Sequence, residues 1–152
     1  MSPTATLARA LRSDALFTYY FPRSPMRWLL LWSFFRDELA FRREHGQVVA
    51  VGAAVAFLGD WPLADLPLGR LSLLTRLLLR LQPPEVRQRW TKAPNLNPRR
   101  PLSQHRYLSV IGTPRARRGR GDGTRLIKRL VNDAGAAGLD LYLETSSARL
   151  SD

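Results

Sequence analysis

Residues 105–146 read HRYLSVIGTPRARRGRGDGTRLIKRLVNDAGAAGLDLYLETS. Tyr107 to Ile111 form an apolar run that predicts a strand. Arg115 to Gly123 are basic and glycine-rich. Thr124 to Ala136 repeat apolar residues at helical spacing, Gly138 marks a turn, and Leu139 to Thr145 read as a second strand. The order is strand, loop, helix, strand.

The loop carries the chemistry. Gly119, Gly121 and Gly123 leave the chain free to turn from strand to helix with successive backbone N–H groups aimed at one anion. The helix adds its unpaired amides and the positive end of its dipole, while Arg117, Arg118 and Arg120 supply counter-charge. The spacing decides which phosphate ligand is meant. No Gly-Lys pair follows the glycines, so the P-loop pattern is absent. Thr124 stands where a dinucleotide fingerprint starting at Gly119 needs its third Gly.

What fits is Arg-x-x-Gly-x-Gly, as Arg118-Gly119-Arg120-Gly121-Asp122-Gly123. This resembles the pyrophosphate loop of the GNAT superfamily of N-acetyltransferases. His105-Arg106-Tyr107-Leu108 is similar to the H-x-Y-L that opens the preceding strand in one large group of these enzymes, Ile111-Gly112-Thr113 to that strand's end, and Leu143-Glu144-Thr145-Ser146 to the strand after the helix. The resemblance implies an α/β fold: a GNAT-like mixed sheet flanked by helices, here without the usual C-terminal helix and strands. It implies one N-acetyltransferase-like domain over residues 1–152, with the acyl-CoA unit at 105–146. It also implies acetyl-CoA as co-substrate, held by Val110, Ile111, Gly112, Arg118, Gly119, Arg120, Gly121, Gly123 and Thr124, and an unidentified small-molecule or peptide amine as acceptor.

Transfer from a thioester to a neutral amine needs a group to accept the amine's proton. Glu144, His105 or a water held by them is the candidate base. Glu144 falls in an apolar strand, where burial disfavours the charged form and suits a carboxyl to accepting a proton. Alternation puts Tyr142, Glu144 and Ser146 on one face. His105 and His45 are the only histidines and stand apart, so no metal site is expected. Asp122 departs from the family pattern, and a carboxylate there would repel a nearby pyrophosphate. The alternative functions are a CoA-binding remnant with impaired catalysis, and a basic nucleic-acid-binding module built on the Arg/Gly loop.

The net charge of +12 favours polyanionic partners. The charge is spread along the chain, however, with Lys only at positions 92 and 128, so nucleic acid is the disfavoured partner. There is no cysteine, hence no disulfide framework and no thiolate nucleophile. No leader-like core opens the chain, and the longest apolar run, Trp28 to Phe35, is far shorter than the roughly 20 residues that span a bilayer. A cytoplasmic protein without membrane contact is expected, together with a homo-oligomer that covers the last strand.

Upstream, Thr4 to Phe21 predicts one helix that stops before Pro22. A second helix starts at Ser24-Pro25, runs to Glu44 and stops at Gly46, with Trp28, Leu31, Trp32, Phe35 and Leu39 inward and Arg36, Glu38, Arg42 and Arg43 outward. Gln47 to Leu58, split by Gly52, predicts a hairpin of short strands, and Gly59 to Pro67 a loop. Leu68 to Leu81 predicts an amphipathic helix packed on the sheet, with the membrane-surface reading as its rival. Pro83 to Leu102, with five prolines, predicts an irregular connection.

Overall fold

In a computed structural model of the protein, which describes residues 2–22, 26–62, 65–92 and 101–144, the strand, loop, helix, strand unit is present and joins an upstream hairpin in one sheet. Among the described residues the order is α1 (Pro3–Ala10), α2 (Ala15–Tyr20), α3 (Arg27–His45), β1 (Gly46–Val51), β2 (Ala54–Asp60), α4 (Leu73–Arg80), α5 (Pro84–Lys92), β3 (His105–Gly112), α6 (Asp122–Ala136) and β4 (Asp140–Leu143). Short 3-10 turns occupy Leu68–Arg70 and Arg115–Arg117. The sheet runs β1-β2-β3-β4, antiparallel except for the parallel β3–β4 pair that the α6 crossover creates. The fold is therefore mixed α/β, with six α-helices and a four-stranded mixed sheet among those residues.

Helices cover both faces. Val55 and Phe57 of β2 point toward Leu7, Leu31 and Phe35 of α1 and α3, while Ala54, Ala56 and Leu58 point toward Leu126 and Leu130 of α6. Alternation along one strand feeds both cores, which is why β2 is buried on its two sides. Each fully buried Leu or Phe in these clusters contributes about 1.5–3 kcal/mol. α6 seats Leu126, Leu130 and Ala134, four residues apart, along one stripe.

Several expectations need correction. The predicted single N-terminal helix is two, because the Asp14 carboxylate accepts the Leu16 and Phe17 amides and so starts a new helix after α1 has ended. Ser24 and Pro25 lie outside the described residues. Glu38 and Arg42 do not face outward: both are buried, and the Arg42 guanidinium donates to Glu38 at 2.7 and 2.8 Å. α4 packs chiefly on α3, with Leu78 in the core that also holds Val55 and Phe57 of β2; Asp37 of α3 accepts from the Ser72 amide and from the Ser72 and Thr75 hydroxyls. Of the leucines expected on the inner face, Leu71, Leu74, Leu77, Leu78 and Leu81, Leu71 and Leu78 are buried while Leu77 and Leu81 stay exposed. Part of the expected irregular connection is α5, where Pro84 occupies the first helical turn, a place that proline tolerates. Among the described residues no helix is long and apolar enough to cross a membrane.

Candidate functional site

Strand β3 carries an irregularity at its middle. Phe57 pairs with Val110 and Leu58 with Leu108, so Ser109 is an extra residue, a bulge. The bulge is held from the helical side: the Ser109 hydroxyl donates to Glu38 Oε1 at 2.9 Å, and Arg42 fixes that carboxylate from the next turn of α3. Among the described residues the β3–β4 pairing runs from His105–Asp140 to Leu108–Leu143. β3 nevertheless continues beside β2 to Gly112. Among the described residues, then, the edge of β3 from Ser109 to Gly112 on the β4 side is open, and backbone groups of Val110, Ile111 and Gly112 are the ones next to it.

The open edge leads into the loop. Gly112 allows α1 to approach, since a Cβ there would lie 2.9 Å from the Ala10 Cβ and 3.0 Å from the Leu7 side chain. After the Arg115–Arg117 turn the chain twists through Gly119 at φ 77° and Gly121 at φ 76°, left-handed backbone that L side chains adopt only with strain. Helix α6 starts immediately at Asp122, and the first amide to reach a helical acceptor is that of Arg125, 2.9 Å from the Gly121 carbonyl. No backbone carbonyl among the described residues takes the amides of 119–124. These amides form the start of a helix with its positive dipole end exposed.

Side chains around the loop divide into two roles. Arg118 Nε donates to the Thr113 carbonyl at 3.0 Å and its terminal nitrogen to the Ala10 carbonyl at 3.0 Å, so Arg118 caps α1 and ties it to the loop. Arg115, Arg117 and Arg120 are exposed. Asp122 does not intrude on the loop. Its carboxylate turns under the hairpin, accepting the Ala53 amide at 2.9 Å and pairing with Arg125. The Ala53 hydrogen bond foremost, and the Arg125 guanidinium after it, hold this carboxyl below the usual carboxylate range. The carboxylate thus stays ionised, with its charge offset by Arg125.

The two candidate bases lie in different places. Glu144 follows the last residue of β4 and is exposed, so the burial expected for it is absent: β4 is only four residues long and lies at the edge of the sheet. Thr145 and Ser146 lie outside the described residues. In register Glu144 comes one step after the Leu108–Leu143 pair, level with the Ser109 bulge. The Tyr20 phenol is raised by burial and then by the charges of Tyr19 and Glu144, which sets Glu144 near α2. His105 is at the opposite end of β3, about 23 Å from Gly112 at the usual strand rise. It is 1% exposed, stacked on Trp61 and edge-on to Tyr142. Its Nδ1 sits 2.7 Å from the Ser103 carbonyl, which can only accept, so Nδ1 carries the proton. The structure joins Val110 to Gly112 to the 118–124 loop along the chain, sets Glu144 one register step after the Leu108–Leu143 pair, and leaves His105 at the far end of β3.

One feature of the site has no counterpart in the sequence reading. Beside the loop, α1, α2 and the start of α3 enclose an open cleft of about 1260 Å³, lined by Arg9, Arg12, Arg27, Arg115 and Arg118 together with Tyr19 and Trp28. Arg9 and Arg12 belong to α1 and its end, and they meet Arg115 and Arg118 only through the fold. The sole cue in the sequence is the pair of arginines three apart near the end of α1. Among the described residues no three His, Asp or Glu side chains converge as metal ligands would. Neither protein-family models nor curated proteins give a match to the chain.

Proposed function

We propose that the protein is an acetyl-CoA-dependent N-acetyltransferase with a GNAT-like fold. The observation that carries this reading is the Ser109 bulge in β3, just past the last described β3–β4 pair and directly upstream of a loop with two left-handed glycines and a helix start whose amides take no backbone carbonyl among the described residues. The diphosphate of acetyl-CoA would lie on the amides of 119–124, and its pantetheine arm along Val110, Ile111 and Gly112. Arg118, which fixes α1 to the loop, keeps that cradle in shape and contributes charge at its rim. Arg120 adds counter-charge.

The acceptor amine attacks the thioester carbonyl, the new C–N bond forms, the C–S bond breaks, and coenzyme A leaves as thiolate. Glu144, one register step past the last described β3–β4 pair, takes the amine's proton directly or through a water, and that proton then returns to the thiolate sulfur. His105, enclosed by aromatic rings at the far end of β3, holds the start of the strand and takes no part in the transfer. Calorimetry with acetyl-CoA tests the reading. Binding that survives moderate salt, followed by release of free coenzyme A with one of a panel of amines, is the expected result. Binding that fades with salt as steeply as simple phosphate attraction would overturn it.

A further inference from the structure

From the arginine-lined cleft beside the loop we infer that the acceptor is an anionic amine, one that carries a phosphate or carboxylate besides its amino group; this rests on the acetyltransferase reading above. Arg9, Arg12, Arg27, Arg115 and Arg118 line one concavity, and no carboxylate lines it among the described residues. Arg27 is 6% exposed and is fixed by donating to the Thr18 hydroxyl at 3.0 Å, so its charge is built into the wall of the cleft and does not swing in solvent. Arg118 is fixed likewise by the Ala10 and Thr113 carbonyls. Between these fixed charges the exposed guanidiniums of Arg12 and Arg115 match the oxygens of a carboxylate or phosphate. The same field repels polyamines and lysine-rich peptides, the acceptors that an acidic cleft would draw. It also disfavours an ammonium close by, so an amine anchored through its own anion is taken in the neutral form that can attack a thioester.

The shape of the cleft favours a small molecule over a nucleic-acid strand. A strand needs a run of stacking rings along a groove. Here Trp28 is partly exposed, and the ring of Tyr19 already lies under the Arg89 guanidinium at 4.4 Å.

The test compares the wild-type protein with an Arg9→Gln/Arg12→Gln double variant, both side chains being exposed so that the fold is kept and is verified by its melting temperature. O-phosphoserine, glucosamine 6-phosphate and glutamate are titrated as anionic amines, spermidine as a cationic one, a short oligothymidylate as a strand, and acetyl-CoA in parallel. Expected are binding of at least one anionic amine, at least a tenfold loss of it in the double variant, no binding of spermidine, and a change in acetyl-CoA affinity below twofold. Binding of spermidine, absence of binding by every anionic amine, or displacement of a bound anionic amine by the oligothymidylate with retention at moderate salt overturns the inference while leaving the acetyl-CoA result standing. An equal loss of acetyl-CoA in the double variant overturns it too, because the cleft would then belong to the cofactor. Failure of acetyl-CoA to bind the wild-type protein at all is a separate outcome and strikes the acetyltransferase reading on which the inference rests.

Discussion

Replacing Gly121 by Ala isolates the backbone of the loop from every contact around it. A Cβ built at Gly121 meets nothing within 4 Å, so the substitution adds no clash, yet the residue sits at φ 76°. An L side chain in left-handed backbone costs about 1–2 kcal/mol. Spread over a domain of this size, that is a fall in melting temperature of about 2–8 °C. If the loop avoids the strain by turning its amides away, binding bears the same cost, a loss of about 5–30-fold in acetyl-CoA affinity. Gly123→Ala is the control. Gly123 has no positive φ, lies inside the first turn of α6, and its Cβ would lie 3.8 Å from the Thr113 hydroxyl, an ordinary contact, so stability is unchanged or rises by up to about 1 kcal/mol through helix propensity. Differential scanning calorimetry and acetyl-CoA titration on both variants read the two effects. Equal melting temperatures for the wild type and Gly121→Ala would refute the left-handed loop.

Three further outcomes follow from the same contacts. Arg118→Glu removes two hydrogen bonds that tie α1 to the loop and reverses a charge at its rim; acetyl-CoA affinity falls at least tenfold in calorimetry, and an unchanged affinity contradicts the assignment of the loop. Arg42→Met leaves the Glu38 carboxylate buried without its partner, and the unfolding free energy in urea drops by about 3–5 kcal/mol, much of it regained when Glu38 is replaced by Leu as well. Asp122 has a lowered value in the folded state, so folding leaves it binding fewer protons than the unfolded chain does. Its contribution to stability is therefore present above about pH 4 and is lost as the pH falls through the lower folded value. Asp122→Asn flattens that part of an acid titration of the melting temperature, and identical acid profiles for the two proteins count against the tie to Ala53.

The parts of the fold that were legible in the sequence are those set by local chemistry. The hairpin at Gly52, the end of α3 before Gly46, the glycine twist before α6 and the turn at Gly138 each depend on residues adjacent in the chain. The break at Asp14 was equally local and was outweighed by the continuous apolar spacing of Leu7, Leu11 and Leu16, although the carboxylate cap decides it. Glu38 and Arg42 read as solvent-facing because charge usually is; what buries them is mutual neutralisation plus the Ser109 hydroxyl, a partner 71 residues away that alternation does not reveal. The Ser109 bulge itself leaves no mark in HRYLSVIG. The arginine cleft was hidden for the same reason, since Arg9 and Arg115 become neighbours only once α1 packs against the end of β3. Glu144 was expected to be buried by its apolar neighbours, but an edge strand four residues long leaves it at the surface.

The central claim is that the open edge of β3 and the amides of 119–124 together receive acetyl-CoA. Backbone amide signals of the isotope-labelled protein, followed by NMR and hydrogen exchange as acetyl-CoA is added, test it most directly. The account predicts shifts and slowed exchange concentrated at Gly119 to Thr124 and along Ser109 to Gly112, with His105 unaffected. Saturating acetyl-CoA that leaves those amides unchanged, or that perturbs the Arg9 and Arg12 face alone, would contradict it.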